Sequence, residues 1–133
     1  MNITDQICSL ELSVRLKELG VKQDSLFYRF GNDNLQYVFC KYYEQYSPNI
    51  NLNIKDGVSA FTVAELGELL KNPTPNIILT YKINDIYKCA TGNGDIKLID
   101  FEDISEADVR AKMLIYLLEN KLMELSHDTR GSV

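Results

Sequence analysis

The sequence has no tryptophan, a single histidine, three cysteines and three prolines. Each shortage narrows the function. His127 lies in the polar stretch Ser126 to Val133, where a frayed terminus cannot hold an imidazole against a thiol or hydroxyl, so Cys-His dyads, Ser-His-Asp triads and most zinc schemes are disfavoured. Cys8, Cys40 and Cys89 are odd in number and too widely spaced for a disulfide framework or a CxxC knuckle. They are expected as reduced thiols serving as small buried hydrophobes. The longest apolar run is Met113 to Leu118, far short of the roughly 20 residues of a membrane-spanning helix. The opening Met1-Asn2-Ile3-Thr4-Asp5-Gln6 lacks the basic and apolar regions of a secretory signal, and a cytoplasmic protein is expected. Positive charge is short as well. Fourteen Lys and Arg against 19 Asp and Glu leave a net charge of −5, which gives no general field for nucleic acid or an anionic membrane.

What is present is enough for one domain. The 133 residues are 45% hydrophobic and 25% charged, the balance of a chain that buries a core, and no linker or repeat divides it. A single domain over 1–126 with a flexible tail over 127–133 is expected. Cys8, Leu12, Leu16 and Leu19 share a helical stripe that starts near Thr4 or Ser9, and Gly20 followed by Val21 has the form of a Schellman stop. Leu26–Phe30 and Gln36–Tyr43 flank the turn residues Gly31-Asn32-Asp33-Asn34 and read as a hairpin. Residues 47–59, with Pro48, Asp56 and Gly57, read as a surface connection in which 51–55 could add a short edge strand.

Thr62-Val63-Ala64-Glu65 has the spacing of a capping box with Phe61 and Leu66 as staple, and its helix must end before Pro73 and Pro75. Ile77–Ile83 reads as a largely buried strand. It is followed by a turn at Asn84-Asp85, a strand over 86–91, an Asn93-Gly94 hairpin signal and a strand over 96–99. Ser105-Glu106-Ala107-Asp108 repeats the capping form, with Ile104 and Val109 as staple. It opens a helix carrying Ala111, Leu114, Ile115, Leu118, Leu122 and Leu125. The fold class is therefore α+β: an antiparallel sheet of about five strands covered by three helices, in the order αββαβββα.

No stretch specifies a reaction, and no cofactor or metal is expected. Asp95, Asp100, Glu102, Asp103, Glu106 and Asp108 do not have the spacing of an EF-hand and fit the dipole at a helix start. Thr91-Gly92-Asn93-Gly94-Asp95 lacks the order of a P-loop. The enzyme alternative is a site of scattered carboxylates and tyrosine hydroxyls assembled by the fold, in which Glu65 and Glu68 could form an acid and base pair, although Glu65 already serves as a cap. Lys17, Lys22, Arg29 and Lys41 could form a basic stripe, the nucleic-acid alternative. Tyrosine is the most uneven feature: of eight, Tyr37, Tyr42, Tyr43 and Tyr46 fall within one strand and its flank. They are the candidate binding surface, because Tyr supplies contact area with a polar tip. The helix segment Met113–Leu118 is apolar all round and requires cover, from its own chain or from a homodimer partner.

Three blocks also carry a family likeness: Lys17-Glu18-Leu19-Gly20-Val21-Lys22-Gln23-Asp24-Ser25-Leu26-Phe27-Tyr28, Phe61-Thr62-Val63-Ala64-Glu65-Leu66-Gly67-Glu68-Leu69-Leu70, and the helix from Glu106 to Leu122. In this order they resemble a group of small uncharacterised proteins of bacteriophages, prophages and related mobile elements. The resemblance spans residues 7 to 125 and implies an intracellular, phage-related setting in a bacterial host. It brings no activity, cofactor or catalytic residue to any position. The expected function is thus a phage-type accessory protein that binds another protein, or a second copy of itself, without catalysis.

Overall fold

Helix starts in this protein are set by side-chain oxygens that accept orphan backbone amides. The structure, a computed structural model, describes residues 3–32, 35–40, 57–71, 77–92, 99–125 and 130–131. After a short 3-10 turn at Ile3–Asp5, helix α1 spans Leu10–Glu18, with the Ser9 hydroxyl accepting from the Leu12 amide. Its end is the expected Schellman stop. Gly20 takes φ 92°, its amide donates to the Lys17 carbonyl at 3.0 Å, and the Val21 amide reaches the Leu16 carbonyl at 3.1 Å. Helix α2, Val63–Leu69, opens with the full capping box of Thr62 and Glu65, and the staple residues Phe61 and Leu66 are both buried.

Helix α3, Glu106–Glu119, departs from expectation at both ends. The Ser105 hydroxyl accepts from the Asp108 amide at 3.2 Å, yet the Asp108 carboxylate does not reach back to complete a box. It accepts the Ser9 amide at 2.7 Å instead, and the Ser105 amide donates to Asp103 Oδ1 at 3.0 Å. Ile104 is 83% exposed while Val109 is fully buried, so the expected staple does not form. At the other end the helix stops before Leu122 and Leu125. The Lys121 amide bonds to the Leu118 carbonyl and the Leu122 amide to that of Leu117, a second Schellman stop with Lys121 at φ 56°. Beyond it Met123 and Leu125 are buried while Leu122 and Glu124 are exposed, the alternation of extended chain.

The strands are antiparallel and divide into two sheets. In the first, β1 (Phe27–Asn32) pairs with β2 (Leu35–Cys40) as the expected hairpin, and β3 (Val58–Ser59) adds to the other edge of β1. In the second, β4 (Ile77–Ile83), β5 (Ile86–Gly92) and β6 (Ile99–Asp103) form a meander in the order β4-β5-β6. Asn84 and Asp85, at φ 50° and 66°, make the tight turn between β4 and β5. The class is α+β as expected, but with a third strand in the first group and two sheets of three strands. Residues 93–98, with the Asn93-Gly94 turn and most of the strand expected over 96–99, lie outside the described residues; β6 runs on through Asp103, so Asp100, Glu102 and Asp103 belong to a strand and not to a helix start.

Helix α3 lies between the second sheet and the other two helices. It packs against β5 and β6 on one side and against α1 and α2 on the other, while α1 also touches β3. Met113, Leu114 and Leu117 are fully buried, and Ile115, Tyr116 and Leu118 pack at the margin of the same cluster with Leu16, Val21, Leu66, Cys8 and Cys89. The helix that is apolar all round is thus covered by its own chain. Within the stretch 127–133, Arg130 and Gly131 are described: Arg130 pairs with Val21, and the Gly131 amide donates to the Gly20 carbonyl at 2.7 Å.

Two stability outcomes follow. Leu114→Ala leaves a cavity at the centre of the cluster and is expected to lose about 2–5 kcal/mol in urea unfolding. Lys121→Gly removes a Cβ from a left-handed position and is expected to gain about 1 kcal/mol by the same measurement.

Candidate functional site

The second sheet has two unlike faces. Register places Thr80 beside Cys89 and Cys89 beside Phe101, and these, with Ile78 and Tyr87, face the core. The opposite face pairs Leu79 with Ala90, Tyr81 with Lys88 and Ile83 with Ile86. There Leu79 is 59%, Tyr81 41%, Ile83 49% and Ile86 36% exposed. The strand expected to be largely buried is therefore only half-buried, and on one face, at Ile78 and Thr80. Its apolar residues at successive positions look the same in sequence whether one face or both are covered.

Strand β4 is also an edge: among the described residues only β5 pairs with it. Its seven residues hold no proline and one charge, Lys82, whose ammonium lies 5.2 Å from the Tyr87 ring centroid and 3.9 Å from the Asp85 carboxylate. Edge strands are commonly guarded by charge, proline or a bulge. This one presents backbone donors and acceptors beside a row of exposed apolar side chains. The two-residue turn is the local signal that could have found part of it, because it sets Ile83 and Ile86 opposite each other at the end of the hairpin.

Of the tyrosines expected to form a binding surface, Tyr37 is placed as β2 backbone opposite Phe30. Tyr42, Tyr43 and Tyr46 lie outside the described residues, as does Lys41 of the basic stripe. Lys17 and Lys22 line a cavity of about 890 Å³ together with Arg130 and Glu124. Arg29 faces a different one, of about 230 Å³, and its Nε donates to the Cys8 carbonyl at 2.9 Å. Glu65 and Glu68 do not converge on a shared proton. Glu65 accepts the Thr62 amide at 2.9 Å and the Leu26 amide at 3.2 Å, whereas exposed Glu68 pairs with Lys71 at 2.8 Å. Cys8 and Cys89 are buried, which pushes both thiols up in pKa. Cys40 is exposed at the end of edge strand β2, a correction to the expectation of three buried thiols.

Of the acidic run, Asp95 lies outside the described residues and the others are dispersed over β6 and α3; no group of three metal-ligating residues occurs among the described residues. Asp103 pairs with Lys112 at 2.8 Å, and although burial pushes its carboxyl up, Lys112 and the Ser105 amide hold it below its usual value. Asp108 moves the other way: burial pushes it up against the pull of the Ser9 amide, and the Asp103 charge adds to the rise against Lys112 and Arg29. These acids join α3 to its neighbours and are not arranged for proton transfer.

The fold defines an α+β domain of two small antiparallel sheets about a central helix. Compared with protein-family models, curated proteins and solved structures, the chain matches none.

A carboxyl whose folded pKa lies above its unfolded value contributes most when protonated, and that contribution is lost as pH rises through the folded value. Asp108→Asn keeps an oxygen for the Ser9 amide and carries no charge. Its stability in urea is expected to equal or exceed that of the parent at neutral pH, with the gain shrinking as pH falls into the carboxylate range. A loss at neutral pH would mean that the attraction of Arg29 and Lys112 outweighs burial.

Proposed function

We propose that the chain is a non-enzymatic accessory domain, of the phage type its sequence resembles, that binds an extended segment of another cytoplasmic protein along β4. The observation that carries this reading is the exposure of Leu79, Tyr81 and Ile83 on an edge strand. A strand added to that edge would satisfy backbone groups and cover the apolar row in one step. These side chains are already about half buried, so each one covered would contribute about 1 kcal/mol before the cost of association. The enzyme alternative has less support, because both Glu65 oxygens are occupied by backbone amides and Glu68 is turned to Lys71. For nucleic acid, the net charge of −5 and the inward turn of Arg29 weigh against binding.

The test is affinity capture from bacterial cells carrying the phage-type element, with the bound protein identified and its complex examined by amide hydrogen exchange. Leu79→Ser, Tyr81→Ser and Ile83→Ser together are expected to abolish capture, and β4 amides to be protected in the parent complex. Tyr42→Ser, Tyr43→Ser and Tyr46→Ser together should retain it. The reverse pattern would move the surface to the tyrosine strand. A parent dimer in sedimentation, dispersed by the β4 substitutions, would replace the foreign partner by a second copy of the chain.

A further inference from the structure

A second feature lies on the other side of the sheet, where Arg110 of α3 crosses to α2. Its Nη1 donates to the Val63 carbonyl at 3.0 Å, and its Nε is buried without an acceptor. The ion pairs among the described residues use Arg15, Lys71, Lys82, Lys88 and Lys112 and leave Arg110 without an acid. Lys17, Lys22, Arg29, Lys121 and Arg130 also have no acid among those pairs. What sets Arg110 apart among the described cations is its buried, unpartnered Nε, because an unsatisfied donor is costly to bury.

The facing helix accommodates the guanidinium at a further cost. A Cβ built at Gly67 would stand 2.6 Å from Nη1, so any other residue there would displace the arginine. Glycine in a helix interior costs about 1 kcal/mol relative to alanine. Two independent stability costs thus meet at one side chain. Where local rules are broken without a compensating contact, a functional demand is the usual reason.

Arg110 and Gly67 line a groove of about 450 Å³ together with Ile78, Thr80, Glu68 and Lys71. The Glu68 carboxylate is held at the Lys71 ammonium, 2.8 Å away, and both side chains are 72% exposed at the rim. The Thr80 hydroxyl donates to the Cys89 sulfur at 3.6 Å, so the donors left to an anion are those of Arg110 and Lys71. We propose that this groove binds a small oxyanion, a phosphate or carboxylate group held by the Arg110 guanidinium with Lys71 at the rim. A planar guanidinium with free donors matches either group, and bidentate pairing would supply the missing counter-charge.

The full chain, labelled with ¹⁵N, is titrated with inorganic phosphate and separately with acetate at constant ionic strength, following the Arg110 Nε–H resonance and the melting temperature. A saturable shift with phosphate alone assigns a phosphate site, and one with acetate assigns a carboxylate site. Arg110→Gln is expected to weaken binding at least tenfold. Gly67→Ala, which favours the helix but displaces the guanidinium, is expected to do the same and serves if Arg110→Gln fails to fold. Glu68→Gln, which removes the one acid among the groove's described lining residues, is expected to tighten binding. No saturable shift with either anion, or an unchanged affinity in Arg110→Gln or Gly67→Ala, overturns the proposal.

Discussion

The constraint on which this structure depends is the need to cover α3 on every side. A helix with one apolar stripe can lie on a sheet and face water. The segment Met113–Leu118 leaves no side for water, and its burial draws β5 and β6 to one flank and α1 and α2 to the other. The first sheet meets the core through α1, at β3, rather than on a flank of α3. The two groups of strands close the core as separate sheets, and among the described residues β4 is left as an edge.

Polar connections hold these layers in register. Carboxylates at the helix starts do more than cap their own helices: Glu65 also accepts the Leu26 amide, and Asp108 accepts the Ser9 amide at the start of α1. Asp103 takes the Ser105 amide and the Lys112 ammonium. In the first sheet Gln23 accepts the Ser59 amide at 2.7 Å and fixes β3 beside β1. Two carboxylates, Glu65 and Asp108, thus accept backbone amides distant in sequence.

What could be read from the sequence was local. Thr62 with Glu65 and Gly20 with Val21 each complete their motif within a few residues, and both formed as expected. Asp108 has the same spacing from Ser105, but its partner is an amide at the opposite end of the chain, and no spacing rule carries that information. The end of α3 was hidden for another reason. Lys121 adopts a left-handed conformation without the glycine that usually marks it, and Leu122 and Leu125 suit a helix as well as an extended segment. The exposed row on β4 was hidden by apolar residues on both faces of the strand. Gly67 was visible as a glycine within a helix, but its meaning depends on Arg110, a residue from another element.

The bond between Gly131 and Gly20 has a consequence for the order of folding. It joins the last described residues to the stop of the first helix, so nearly the whole chain must be in place before it can close. Loop closure over such a span is slow relative to a helix or hairpin. The first helix can form early, but its final turn is fastened only when the C-terminal segment arrives. A chain in which that segment has not yet docked could hold the described helices and sheets while the Gly20 carbonyl and the Val21 backbone still lack these partners, an interval in which the end of α1 is open to other contacts.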